Sequence, residues 1–302
     1  MMGTVVVLGV FVADTAYRAD RMPRMGETVM GNSFSLGPGG KGSNQAVAAG
    51  RLGADVAMIS RLGKDDFAEM ALNTWKAAGV TPYVTQSPND YTGAAYIFIE
   101  DATGDNAIII APGAAANISA QDLEDHADLI AVSDVFVTQL EQPLGAAQRG
   151  LELAKAAGVT TILNPAPAVE LPAEMLALCD YVTPNETETE ILTGLPVTNE
   201  AEAAQAAAAL HQMGVKTPII TLGEKGAYLH GHGLIPAFSV GEVVETTGAG
   251  DAFNGGLAAA LSEGFTPVEA VRIGSATAGI SVTRAGTAPA MPSRAEVDAL
   301  LC

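Results

Sequence analysis

Between Val56 and Gly241, short apolar runs alternate with stretches in which apolar residues recur every three or four positions. The strand-like run Val56–Ser60 precedes a helical pattern over Asp65–Ala78, and Val135–Thr138 precedes one over Leu144–Ala157. Thr160–Asn164 leads to Pro172–Leu178, and Tyr181–Thr183 leads to Thr187–Leu192. The helix Ala201–Met213, entered through the capping pair Asn199 and Glu202, then leads to a strand over Pro218–Leu222. Ahead of all these, Thr4–Val10 is a β-branched run without alternation, as expected of a central strand buried on both faces. The rhythm predicts a three-layer α-β-α chain with a mainly parallel central sheet and right-handed crossovers.

Two stretches break the rhythm. Residues 15–38 lack helical periodicity, with short half-exposed strands expected at Glu27–Gly31 and Ser33–Leu36. Ala94–Ile99 and Asn106–Ile110 flank a polar turn and read the same way. A small sheet built from about 13–38 and 92–110 would have open edges and an apolar face, and is expected to close over a site or pair with a second subunit. No linker, repeat or low-complexity tract interrupts the chain, so residues 1–302 read as one domain carrying a β lid.

Composition narrows the classes. With 48% hydrophobic and 16% charged residues the chain can bury a large core. A net charge of −19 argues against nucleic acid and anionic membranes as partners. No apolar run approaches the ~20 residues that span a bilayer. Val5–Val12 lacks a basic leader and a cleavage site, so it reads as a strand rather than a signal peptide. Two cysteines, Cys179 and Cys302, form no disulfide framework and suit a cytoplasmic location. The histidines at 126, 211, 230 and 232 show no metal-ligand set.

The chemistry is concentrated near the C-terminus, in Glu245-Thr-Thr-Gly-Ala-Gly-Asp251 followed by a helix over Ala252–Leu261. A glycine-rich turn entering a helix presents unpaired N–H groups and a partial positive charge, which suits a phosphate. A carboxylate beside it can take the proton of an alcohol that attacks that phosphate. The ordinary alternative is that Asp251 caps its helix. Near the N-terminus, Gly37-Pro-Gly-Gly-Lys-Gly-Ser-Asn-Gln45 opens a helix over Ala46–Leu52 and leaves backbone open to close approach, with Lys41 and Asn44 as donors. It matches G-x-G-x-x-G, but in the wrong context for a dinucleotide site, and it is not a Walker A loop. Asp14, Glu141, Asn164, Asn185, Glu188 and Thr221 each lie at or just past the end of a strand, at the edge where open α/β sheets bind ligands.

Taken together, these residues resemble the ribokinase-type (PfkB) carbohydrate kinases, and the ribokinase branch most of all, over roughly residues 4–293. The resemblance is carried by Gly39–Ala49, Gln139-Leu-Glu141, Asn164-Pro-Ala-Pro167, Thr183–Glu188, Thr221-Leu-Gly223 and Thr246–Asn254. It implies an ATP-dependent kinase acting on the terminal hydroxyl of a pentose, ribose to ribose 5-phosphate foremost. Asp251 matches the general base, and Gly248, Ala249 and Gly250 match the anion hole. Asp14, Gly40, Lys41, Asn44 and Glu141 match sugar-binding positions. Asn185, Thr221, Gly223, Gly226 and Ser275 match nucleotide-binding positions. Glu188 matches a residue that orders Mg²⁺ through waters, and Glu245 stands at a monovalent-cation (K⁺) position. A homodimer paired through the β lid is also implied.

Three departures from the family pattern stand out. Val12 and Ala115 replace residues that are commonly Asn, and Glu245 replaces an Asp. The first leaves 2-deoxyribose, a nucleoside or another small sugar as alternative substrates. A non-catalytic sugar or nucleotide sensor is a further alternative, against which the intact Asp251 speaks.

Overall fold

The computed structural model describes residues 3–302. Its main sheet has nine strands: β1 (Thr4–Leu8), β4 (Asp55–Leu62), β5 (Val80–Gln86), β8 (Val135–Thr138), β9 (Thr160–Leu163), β10 (Tyr181–Val182), β11 (Thr217–Thr221), β12 (Ala227–Leu229) and β13 (Gly233–Ile235). Numbering follows the chain, and the remaining strands β2 (Val12–Ala19), β3 (Ser33–Gly39), β6 (Thr92–Glu100) and β7 (Asn106–Gly113) form a separate small sheet. The main order is β13-β12-β11-β10-β9-β8-β1-β4-β5, parallel throughout except for the β11–β12–β13 meander.

Alternation along β1 explains the layers. Val5 and Val7 join one buried cluster, while Val6 and Leu8 join another on the opposite face. The first cluster takes in Ala252, Phe253, Leu257 and Val271 from two C-terminal helices, together with Trp75. The second takes in Leu151, Met175 and Leu210 from helices of the other layer. The three-layer arrangement expected from the sequence is therefore observed.

Element bounds agree where the apolar pattern is strong: β8 and the helix Leu144–Ala157 have the expected limits. No strand forms at Glu27–Gly31; Glu27 instead pairs with Arg21 and accepts from the Arg24 N–H, closing a polar turn. Asp14 lies within β2, a strand the sequence pattern did not reveal, rather than in a loop past β1. The small sheet is ordered β3-β2-β6-β7, with β2 and β6 parallel and the outer pairs antiparallel. Asn199 caps its helix, accepting from the Glu202 N–H at 3.0 Å, but the Glu202 carboxylate turns to Thr198 instead.

Among the described residues no helix is long and apolar enough to cross a membrane. His230 and His232 lie at the β12–β13 turn, where His230 stacks on His211.

Candidate active site

Two helices approach each other from distant parts of the sequence and bring the site together. The helix Lys41–Arg51 is entered directly from β3 through Gly40. The helix Ala249–Ser262 packs alongside it. Gly248, at φ 83°, turns the chain into that second helix, a left-handed conformation that suits glycine. No side chain caps this helix end; the Ala249 N–H donates to the Thr246 carbonyl at 3.1 Å, which leaves the N–H groups of Gly248, Gly250 and Asp251 without a backbone partner.

Asp251 sits in the first turn of that helix and is buried. Its carboxylate does not cap the helix. Oδ2 accepts from Asn44 Nδ2 at 2.9 Å, and Oδ1 accepts from Gln45 Nε2 at 3.1 Å. Burial pushes its pKa up, whereas the Lys41 charge and these two amide donors pull it down.

A cleft of about 610 Å³ runs from this point across the ends of the strands. Gly248, Ala249, Gly250, Asp251 and Lys41 line it. Asn185, Glu188, Thr221, Gly223 and Gly226 line the same cleft. Ser275 lines it too, as do the apolar Phe238, Val240, Val243 and Val282. Sequence reasoning missed that apolar lining; Phe238, Val240 and Val243, apolar residues in a stretch outside the strand–helix pattern, were its signal.

The remaining expected residues gather on the far side of Asp251. Glu141 Oε2 accepts from the Lys41 backbone N–H at 2.7 Å. Crowding by protein pushes the Glu141 carboxyl up to about 7, only partly offset by Lys41. Asp14 is raised to about 6 by burial first, then by the negative charge of Asp251 and Glu245. Val12 is buried, two residues from Asp14 on the same face of β2. Val12 and Ala115 belong to one apolar cluster, so two of the three departures in sequence fall in one place.

Cation positions can be tested against the donors present. Glu188 and Asn185 form a capping box: Glu188 Oε2 accepts from the Asn185 N–H at 2.8 Å, leaving Oε1 outside that bond. Burial raises the Glu188 pKa. Among the described residues no group of three or more His, Cys, Asp or Glu side chains could hold a metal. One available carboxylate oxygen fits Mg²⁺, which keeps several waters and binds mainly through substrate phosphates. Glu245 does not line the cleft; one oxygen accepts from the Gly286 N–H at 2.8 Å, tying the segment before the glycine turn to the turn at 283–287. The other oxygen remains available, and a hard oxygen donor of this kind fits a monovalent cation.

Sequence reasoning assigned no role to Gln45 or Gln139, both buried, although both stand in the motif segments. The signal was a long amide side chain at the edge of an apolar run, Gln45 before Ala46–Ala49 and Gln139 after Val135–Val137, where burial obliges it to find partners inside the protein.

Known proteins resemble this chain along nearly its whole length. Residues 2–294 match the pfkB family carbohydrate kinase model, and the chain belongs to that family. It is 41% identical to a ribokinase of Haemophilus influenzae over 300 residues, covering 98% of this chain and 97% of the relative. It is 37% identical to a deoxyribokinase of Salmonella typhi, covering 96% and 95%. The structure of Arabidopsis thaliana ribokinase complexed with ribose and ATP superposes with a TM-score of 0.94 at 32% identity, covering 100% of this chain and 99% of that one.

Proposed function

We propose that this protein is an ATP-dependent sugar kinase that phosphorylates the terminal hydroxyl of a pentose, ribose foremost. The observation that carries this reading is Asp251, a buried carboxylate at the junction of the cleft and the Asp14–Lys41–Glu141 group, beside the free N–H groups of a helix N-terminus. In the proposed step the sugar 5-hydroxyl oxygen attacks the γ-phosphorus, and the bond to the β–γ bridging oxygen breaks. ADP leaves, and the hydroxyl proton passes to the Asp251 carboxylate. The N–H groups of Gly248, Gly250 and Asp251 receive the charge on the transferring group, that of Ala249 being held by the Thr246 carbonyl.

Asp14, Gly40, Lys41, Asn44 and Glu141 are assigned to the sugar. Asn185, Thr221, Gly223, Gly226 and Ser275 are assigned to the nucleotide. Mg²⁺, held by Glu188 through waters, would neutralise charge on the ATP phosphates. Glu245 is assigned to K⁺.

We read residues 1–302 as one domain whose small sheet is a lid. Its exposed Phe34, Ile108, Ile109 and Ile110 favour pairing with a second copy. The unpaired Cys179 and Cys302 favour the cytoplasm. The burial of Val12 and Ala115 in one apolar cluster supports a second reading, in which 2-deoxyribose is turned over about as well as ribose.

ATP turnover measured against a panel of pentoses, hexoses and nucleosides tests this function. ADP formation dependent on ribose or deoxyribose, with a 5-phosphate product, is expected. A panel in which no sugar raises turnover above the background would contradict it.

A further inference from the structure

Behind Asp251 lies a chain of buried amides that the proposed chemistry leaves unused. Gln45 Nε2 donates both to Asp251 Oδ1 and to Asn164 Oδ1, each at 3.1 Å. Gln45 Oε1 accepts from Gln139 Nε2 at 2.6 Å. Asn164 is oriented in turn, its Nδ2 donating to the Thr183 carbonyl at 3.3 Å. Gln45 and Gln139 are both buried.

This pattern admits only one orientation of the Gln45 amide. Turned over, its oxygen would face two acceptors and its NH₂ would face a donor. The two acceptors, Asp251 and Asn164, therefore fix which end of Gln45 meets the carboxylate, and the Gln139 NH₂ braces the other end. Gln139 is itself held in a slot with room for nothing else: a Cβ on Gly9 would come within 2.6 Å of its Oε1, and a Cβ on Gly42 within 2.8 Å. Its Oε1 has no hydrogen-bond partner, so the amide is kept there by shape and by the bond to Gln45.

Resting on the reading of Asp251 as the base, we propose that Gln45 is a positioning residue for Asp251, and that Gln139 acts on Asp251 through Gln45. A hydrogen bond from Gln45 favours the ionised carboxylate that can accept a proton, and opposes the effect of burial. The other charged groups facing Asp251 are Lys41, Asp14 from β2, Glu141 beyond β8 and Glu188 from the helix Glu186–Thr193. None of these is hydrogen-bonded to Gln45, so a change confined to the amides acts first on Asp251.

The test compares the pH dependence of kcat, at saturating ribose and Mg-ATP, in the wild type, Gln45→Met, Gln139→Met, the double variant and Asp251→Asn. Methionine keeps the length of the side chain and removes its donor. For Gln45→Met the acid limb should move up by about one pH unit, the order expected for a lost hydrogen bond to a charge. The alkaline plateau and both KM values should stay within about threefold, because the base and the substrate contacts remain. Gln139→Met, which does not touch Asp251, should move the limb the same way by less. The double variant should move it no further than Gln45→Met alone. Should Gln45→Met fail to fold, the Gln139→Met profile decides the proposal by the same shift. An unmoved acid limb in a folded variant, with Asp251→Asn still inactive, would reduce Gln45 to a packing residue. Strict additivity in the double variant would sever Gln139 from Asp251. Retention of more than half the turnover by Asp251→Asn would overturn the underlying reading, and the role of Gln45 with it.

Discussion

Asn44 and Asp251, 207 positions apart in sequence, meet through a 2.9 Å hydrogen bond from the amide to the buried carboxylate. That bond joins the two glycine-bearing helix entries, so the residues assigned to sugar and those assigned to phosphate share one carboxylate. Moving either helix moves both halves of the site.

The carboxyls beside Asp251 give a pH prediction with opposite signs for stability and activity. Asp14 and Glu141 are raised to about 6 and about 7. A carboxyl raised on folding contributes stability that is fully present below its unfolded pKa and lost as pH rises through the folded value. Lowering pH from 8 to 6 should therefore raise the melting temperature, while kcat/KM for the sugar falls as the two acceptors protonate. Thermal melts and kinetics over that range check both arms. A melting temperature that is flat or falls toward pH 6, or a rise that survives intact in Glu141→Gln, would count against the assignment.

Potassium should activate the enzyme, but weakly. One Glu245 oxygen is already held by the Gly286 N–H, leaving a single oxygen for an ion. Turnover with and without potassium at constant ionic strength should show a modest gain that Glu245→Asp increases. Strong activation unchanged by Glu245→Asp would argue the other way.

Val12 offers no hydrogen bond to a sugar hydroxyl, and leaving one buried without a partner costs ~1–3 kcal/mol. Since ~1.4 kcal/mol is about tenfold, the wild type should prefer ribose over 2-deoxyribose only slightly. Val12→Asn should shift the kcat/KM ratio toward ribose by about tenfold or more. A large wild-type preference that Val12→Asn leaves unmoved would refute this.

The small sheet exposes Ile109 at 67% and Phe34 at 57% on two of its strands. If these faces pair with a second copy, sedimentation should find a dimer that Ile109→Asp converts toward monomer. A wild type that sediments as a monomer at micromolar concentration would exclude the pairing.

How much of this was legible in sequence depended on the kind of residue. Val135–Thr138 and Leu144–Ala157 could be bounded because apolar runs and helical spacing are local. β2 escaped notice because Asp14, Thr15 and Arg18 break its apolar pattern, and its pairing with β6 joins residues far apart in sequence. β5 was missed for a similar reason: Val80–Gln86 is an edge strand, half polar, with Pro82 inside it. Asp14, Glu141 and Asn185 were legible as polar residues after apolar runs, and Asp251 through the glycine-rich turn that enters its helix. The roles of Gln45 and Gln139 were not, since an amide reveals its task only through its partners. Ala115 had no reading until the fold placed it in the same apolar cluster as Val12.

The most direct measurement is kcat and KM for ribose with Mg-ATP in the wild type and in Asp251→Asn. The account predicts a kcat lower by roughly 10²–10⁴ in the variant, with substrate binding nearly intact, because the base alone is lost. Retention of more than half the wild-type turnover would remove Asp251 from the chemistry and contradict the account.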